Sequence, residues 1–179
     1  MIPFARARTL LPLCMPTIEH SVDVHVPVRV AYDQWTRFEQ YPKFMLHVES
    51  IQQLDDRRLH WRVNLGGQIR EFEAEIVEQT PDKRIAWHST GGVQNRGVVT
   101  FHRLDDASCR VMLQLEFTPE GLLETVGTFV GVPRIDIVKD MQRFAAHVEA
   151  NPAAGGGWRG TIRNVDDERS AAAVTDDGG

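Results

Sequence analysis

Between Thr17 and Val26 polar and apolar residues alternate. Ile18, Val22, Val24 and Val26 share one face and Glu19, Ser21, Asp23 and His25 the other, the pattern of a half-buried strand. His20 has the parity of the apolar face. Pro27 ends the run, and VRVAYDQWTRF then reads as a helix, with Val30, Trp35 and Phe38 inward and Asp33 and Arg37 outward at i,i+4. Glu39–Met45 reads as a second short helix or turn, broken at Pro42.

The next seventy or so residues alternate in short runs separated by turn residues. HVESIQQL is followed by the turn Asp55-Asp56-Arg57. LHWRVNL places Leu59, Trp61, Val63 and Leu65 on one face, and Gly66-Gly67 is a two-residue hairpin signal. QIREFEAEIVEQ then turns Phe72, Ala74 and Ile76 one way and Glu71, Glu73 and Glu75 the other. Thr80-Pro81-Asp82-Lys83, Gly91-Gly92 and Asp105-Asp106 separate RIAWHS, NRGVVTFHRL and SCRVMLQLEF. In the last of these Val111, Leu113, Leu115 and Phe117 align. After Thr118-Pro119 the period becomes helical. Leu122, Val126, Phe129/Val130, Ile137, Met141, Phe144 and Val148 recur at threes and fours, with a break expected at Pro133.

The predicted order is strand, two short helices, six strands, long C-terminal helix. This is an α+β chain: a curved antiparallel sheet of about seven strands around a long C-terminal helix, the one element large enough to cover the apolar face. The folded domain is expected over 17–150. Residues 1–16 form a leader, with Arg6 and Arg8 ahead of a short apolar stretch broken by Pro12 and Pro16; it is read as disordered or as preceding a true start at Met15. The Gly-, Ala- and Asp-rich stretch 151–179 is expected to be a largely disordered tail.

Composition narrows the function classes. The 179 residues are 42% hydrophobic and carry a net charge of -5 with no basic stripe, so no nucleic-acid partner is expected. No apolar run is long enough to span a bilayer, although transient membrane contact stays open. The two cysteines, Cys14 and Cys109, form no disulfide framework and fit a cytoplasmic setting. No metal-ligand cluster, P-loop or nucleophile elbow occurs, and no cofactor is expected. The Glu71/Glu73/Glu75 stripe reads as a solvated strand face, with Arg62, Arg84 and His88 as candidate cross-strand partners. Gly127 and Gly131, four apart in the last helical run, either thin the helix for a ligand, permit close packing or mark a bend. Oligomeric state is left open.

VPVRVAYDQWTRFEQYPKFM, LHWRV, REFEAEI, PDKRIAWHS, GVVTFHRLDD and FTPEG together resemble the START/polyketide cyclase-dehydrase-like superfamily of helix-grip proteins, in particular its bacterial coenzyme Q-binding and cyclase/dehydrase members; WRG at 158–160 resembles a tail element of actinobacterial relatives. The resemblance implies an apolar cavity between sheet and C-terminal helix that takes a hydrophobic small molecule: a lipid, an isoprenoid quinone or an aromatic polyketide. Candidate lining residues are Trp35, Phe38, Phe44, Met45, Trp61, Phe72, Phe101, Leu115, Val126 and Val130. An alternative is a polyketide cyclase/dehydratase with His20 or His47 as proton carrier. The apolar inward positions Phe72, Ala74 and Ile76 argue against it, because active cyclases of the superfamily line this strand with polar groups. A third reading is a partner-binding protein of the ribosome-associating toxin type.

Overall fold

The computed structural model describes residues 17–92, 94–118, 134–153 and 156–164. In chain order these are β1 (Thr17–Val24), α1 (Val28–Trp35), a 3-10 helix (Phe38–Lys43), β2 (Val48–Gln53), β3 (Arg58–Leu65), β4 (Gln68–Thr80), β5 (Arg84–Gly91), β6 (Gln94–Arg103), β7 (Cys109–Thr118) and α2 (Arg134–Ala150). All seven strands belong to one antiparallel sheet in the order β1-β7-β6-β5-β4-β3-β2. The helix-grip expectation of seven strands, two short helices and a C-terminal helix is met.

The local chemistry explains the turns. Gly66 and Gly67 both adopt positive φ, +61° and +84°, as a two-residue hairpin that follows the sheet twist requires. Register shifts between Val48 and Ser50, Glu73 and Ala74, and Ile76 and Glu78 bend β2 and β4. Bulges of this kind curl a sheet and so open its concave face. The 3-10 helix tolerates Pro42, and the Tyr41 carbonyl accepts hydrogen bonds from both Phe44 and Met45 as the helix closes. On α2, Ile137, Met141, Phe144, Ala145 and Val148 are buried at spacings of three and four, forming the stripe that packs into the sheet.

The sheet has two unlike ends. One carries the β3–β4 and β5–β6 turns, the start of β2 and the last residues of β7. The other carries the β4–β5 and β6–β7 turns and α1, which follows β1 there. Helix α2 runs from the first end, where Asp136 meets His47, to the second, where Glu149 meets His25. The second end is plugged by packed rings: Tyr32 and Trp35 against Phe101, and Trp35 against Phe144.

Two expectations are corrected. The sequence placed Asp33 outward, paired with Arg37, but it is only 7% exposed. Its partners are Arg29 at 3.9 Å and, from far along the chain, Arg159 at 2.5 Å. The second correction supplies the reason for the first: the stretch from 151 is not simply a disordered tail, because residues 156–164 lie on the body. Ile162 exchanges both backbone hydrogen bonds with Gln79 of β4, each 2.8 Å, at a point where β3 no longer pairs with that strand. Arg159 bridges Asp33 and Asp82 and sits over the Tyr32 ring. Gly157 fits tightly against Asp33 and Thr36, where a side chain would collide with backbone.

Candidate functional site

Bending the sheet around α2 leaves a cavity of about 130 Å³ between them. Its walls come from every layer of the domain. Trp35, Phe38, Tyr41 and Met45 descend from α1 and the 3-10 helix, while Leu59, Trp61 and Val63 come from β3. Phe72 and Ile76 lie on β4, Ile85 and Trp87 on β5, Leu113 and Leu115 on β7, and Ile137, Asp140 and Met141 on α2. The inward face of β4 is apolar as expected: Phe72, Ala74 and Ile76 are all buried.

Six of the ten residues proposed from the sequence reach this space: Trp35, Phe38, Met45, Trp61, Phe72 and Leu115. Two do not. Phe44 is buried behind the wall, its ring against Phe144 at 5.3 Å and Tyr41 at 5.2 Å. Phe101 has the right parity, but it packs on Tyr32 and on Trp35, which itself supplies the cavity face at that end. Val126 and Val130 lie outside the described residues, as do Gly127, Gly131 and Cys14. His20 is half-buried on edge strand β1, opposite Leu113, and is not part of the lining. His47 is part of it.

Tyr41, His47 and Asp140, on the lining, are engaged by the protein itself. The Tyr41 hydroxyl donates to the Trp35 carbonyl at 2.9 Å, and burial pushes this phenol well above the usual tyrosine range. His47 Nδ1 lies 3.1 Å from the Asn64 carbonyl and Nε2 lies 3.0 Å from Asp136 Oδ2. Both partners are acceptors, so the two hydrogen bonds are made together when each ring nitrogen carries a proton. The Asp140 carboxylate accepts from the Leu46 amide at 3.0 Å and from Arg143 at 2.8 Å, while its burial raises its pKa above the ordinary aspartate value. The Asn95 backbone N–H donates to the Ser89 hydroxyl oxygen at 2.9 Å. The Trp61 indole N–H is buried and meets no acceptor among the described residues.

Sequence reasoning missed Trp87, Asn95 and Asp140. A signal for Trp87 existed. Gly97 stands directly opposite it in the β5–β6 register, and a Cβ there would overlap the indole, which lies flat across the glycine. A tryptophan facing a mid-strand glycine on the neighbouring strand marks such an arrangement. No three His, Cys, Asp or Glu residues among those described are grouped to hold a metal. No described helix is long and apolar enough to cross a membrane.

Comparison with known proteins agrees with this geometry. The model of the family described as polyketide cyclase / dehydrase and lipid transport matches residues 24–145. An uncharacterised 17.2 kDa protein of Streptomyces lincolnensis, encoded between melC2 and rnhH, is 46% identical over 149 residues, which is 83% of this chain and 99% of the relative. Among solved structures, a Deinococcus radiodurans protein is similar at 26% identity with a TM-score of 0.62, over 76% of this chain and 98% of its own. The ZhuI aromatase/cyclase of a Streptomyces species shares the fold at 16% identity, with a TM-score of 0.62 over 80% of this chain and 99% of its own. A START superfamily protein of Mycobacterium smegmatis does so at 14% identity, with a TM-score of 0.58 over 75% and 95%.

Proposed function

The chain belongs to the polyketide cyclase / dehydrase and lipid transport family, and from that premise we propose that it binds a hydrophobic small molecule between sheet and α2 and shields it from water without transforming it. The observation that carries this reading is the makeup of the lining. Aromatic and aliphatic side chains surround the space, and Tyr41, His47 and Asp140 are each tied to partners within the protein. Affinity in such a site comes from apolar area removed from water, at about 25 cal/mol per Å², less the cost of association. A lipid, an isoprenoid quinone and an aromatic polyketide all answer to that description.

Native mass spectrometry of protein purified from its own host, followed by extraction, tests the proposal. A stoichiometric apolar molecule of unchanged structure is the expected result. Titration with that molecule should quench tryptophan emission, since Trp35, Trp61 and Trp87 all border the space. A protein that carries nothing and whose emission does not respond to apolar compounds would overturn the reading.

One observation favours a second reading, cyclisation or dehydration of a polyketide: His47 lies on the lining with a carboxylate, Asp136, on its Nε2. A histidine–carboxylate pair beside bound substrate can carry a proton, here once Nδ1 gives up the Asn64 carbonyl and turns to the substrate. Recovery of a cyclised or dehydrated product, lost in His47→Gln, would establish it.

A further inference from the structure

We infer that this cavity selects uncharged ligands, with Asp140 as the residue that turns away a carboxylate or phosphate. The inference rests on the reading of the cavity as a ligand site and narrows its chemical class. Among the described residues the lining contains no lysine or arginine. Its chargeable members are Asp140, His47 and the phenol of Tyr41. His47 is held between Asp136 and the Asn64 carbonyl, so its N–H groups already have acceptors. Asp140 is 7% exposed, and Arg143, its ion-pair partner, has a side chain 43% exposed and is not on the lining. Among the described residues, an anion entering the cavity would meet a buried carboxylate and find no lysine or arginine on the lining to pair with. Burying an unpaired charge in apolar surroundings is strongly unfavourable, and a like charge nearby makes it more so. A neutral hydroxyl or carbonyl carries no such penalty.

The placement also orients the guest. Asn95 is the second residue of β6, His47 precedes β2, and Asp140 lies on the early turns of α2, all toward the end of the sheet that holds the β3–β4 and β5–β6 turns. The opposite end is closed by Trp35, Phe38, Leu59 and Ile85. A ligand with one polar end places its apolar part among these four and its polar end beside Asp140.

Equilibrium dialysis of matched pairs at neutral pH tests the inference: naphthol against naphthoate, and decanol against decanoate. The alcohols are expected to bind the wild-type protein about tenfold or more tightly than the carboxylates, and Asp140→Asn, which keeps an acceptor for the Leu46 amide, to narrow that gap. Arg134→Ala, removing the cation nearest in sequence to Asp136, should leave the gap in place. Carboxylates that bind as tightly as the alcohols would overturn the selectivity and leave the cavity reading standing, as would loss of carboxylate binding in Arg134→Ala. Failure of all four probes to bind would remove both.

Discussion

Gly97 shows how one missing side chain shapes the site. Because the Trp87 indole occupies the place of its Cβ, Gly97→Ala should drive the ring off β6 and into the cavity. The expected cost is about 1 to 3 kcal/mol in urea unfolding, with a shifted emission maximum and weaker ligand binding. A variant with wild-type stability and emission would show that the indole can yield freely. Cys109 makes the opposite point: a chemically capable residue rendered inert. It is buried on β7, and burial pushes its thiol up to about 11. In the native protein it should resist a thiol reagent in mildly alkaline buffer and react fully once urea is added. At this scale the sequence was legible where parity decides burial, as for Trp61 and Phe72. It was not legible where a second ring stands between a residue and the space, as for Phe101 behind Trp35.

Strands and turns were the most legible elements, because alternation and the pair Gly66-Gly67 are local signals. The segment 156–164 was not, because what holds it is remote in sequence. Gly156, Gly157 and Gly160 read as flexible, whereas Gly157 fits into a gap left by Asp33 and Thr36 that only the folded body creates. Arg159 is the fastening, with Asp33 and Asp82 on its guanidinium and Tyr32 beneath it. Arg159→Ala leaves the mostly buried Asp33 short of a cation and should destabilise the domain by about 1 to 3 kcal/mol in denaturant unfolding. Hydrogen exchange separates this from a uniform loss: the Gln79 and Ile162 amides, which bond each other's carbonyls, should lose protection before those of β6 and β7. The covering helix was read correctly over its buried stripe from Ile137 to Val148, while the helical run expected over 122–133 falls outside the described residues.

For the molecule as a whole, the pH dependence of stability follows from which groups folding perturbs. Hydrogen bonds hold the carboxyls of Asp23, Asp55, Asp105 and Glu149 below their ordinary values, Asp55 at about 2. Their unfolded forms take up protons first as pH falls, so their contribution is complete above the ordinary carboxylate range and is lost below it. Asp140, raised by burial, acts in the opposite sense and softens the acid limb. On the alkaline side Tyr32, Tyr41 and Cys109 are all raised by burial, so the unfolded chain loses protons first and stability falls once thiols and phenols begin to ionise. Urea unfolding across pH should give a plateau between these limbs; an alkaline limb that stays flat would contradict the burial of the three groups. The sheet order carries a consequence of a different kind, in time. Strand β1 is paired not with a sequence neighbour but with β7, Thr17 opposite Glu116 and Val24 opposite Cys109. Nearly the whole domain must therefore be gathered before the first strand finds its place. Closing so long a loop before any contact rewards it slows folding, so refolding should run on the millisecond-to-second scale of non-local β proteins. Substitutions in the β1–β7 seam, such as Val22→Ala, are then the ones to compare with hairpin substitutions for their effect on the folding rate.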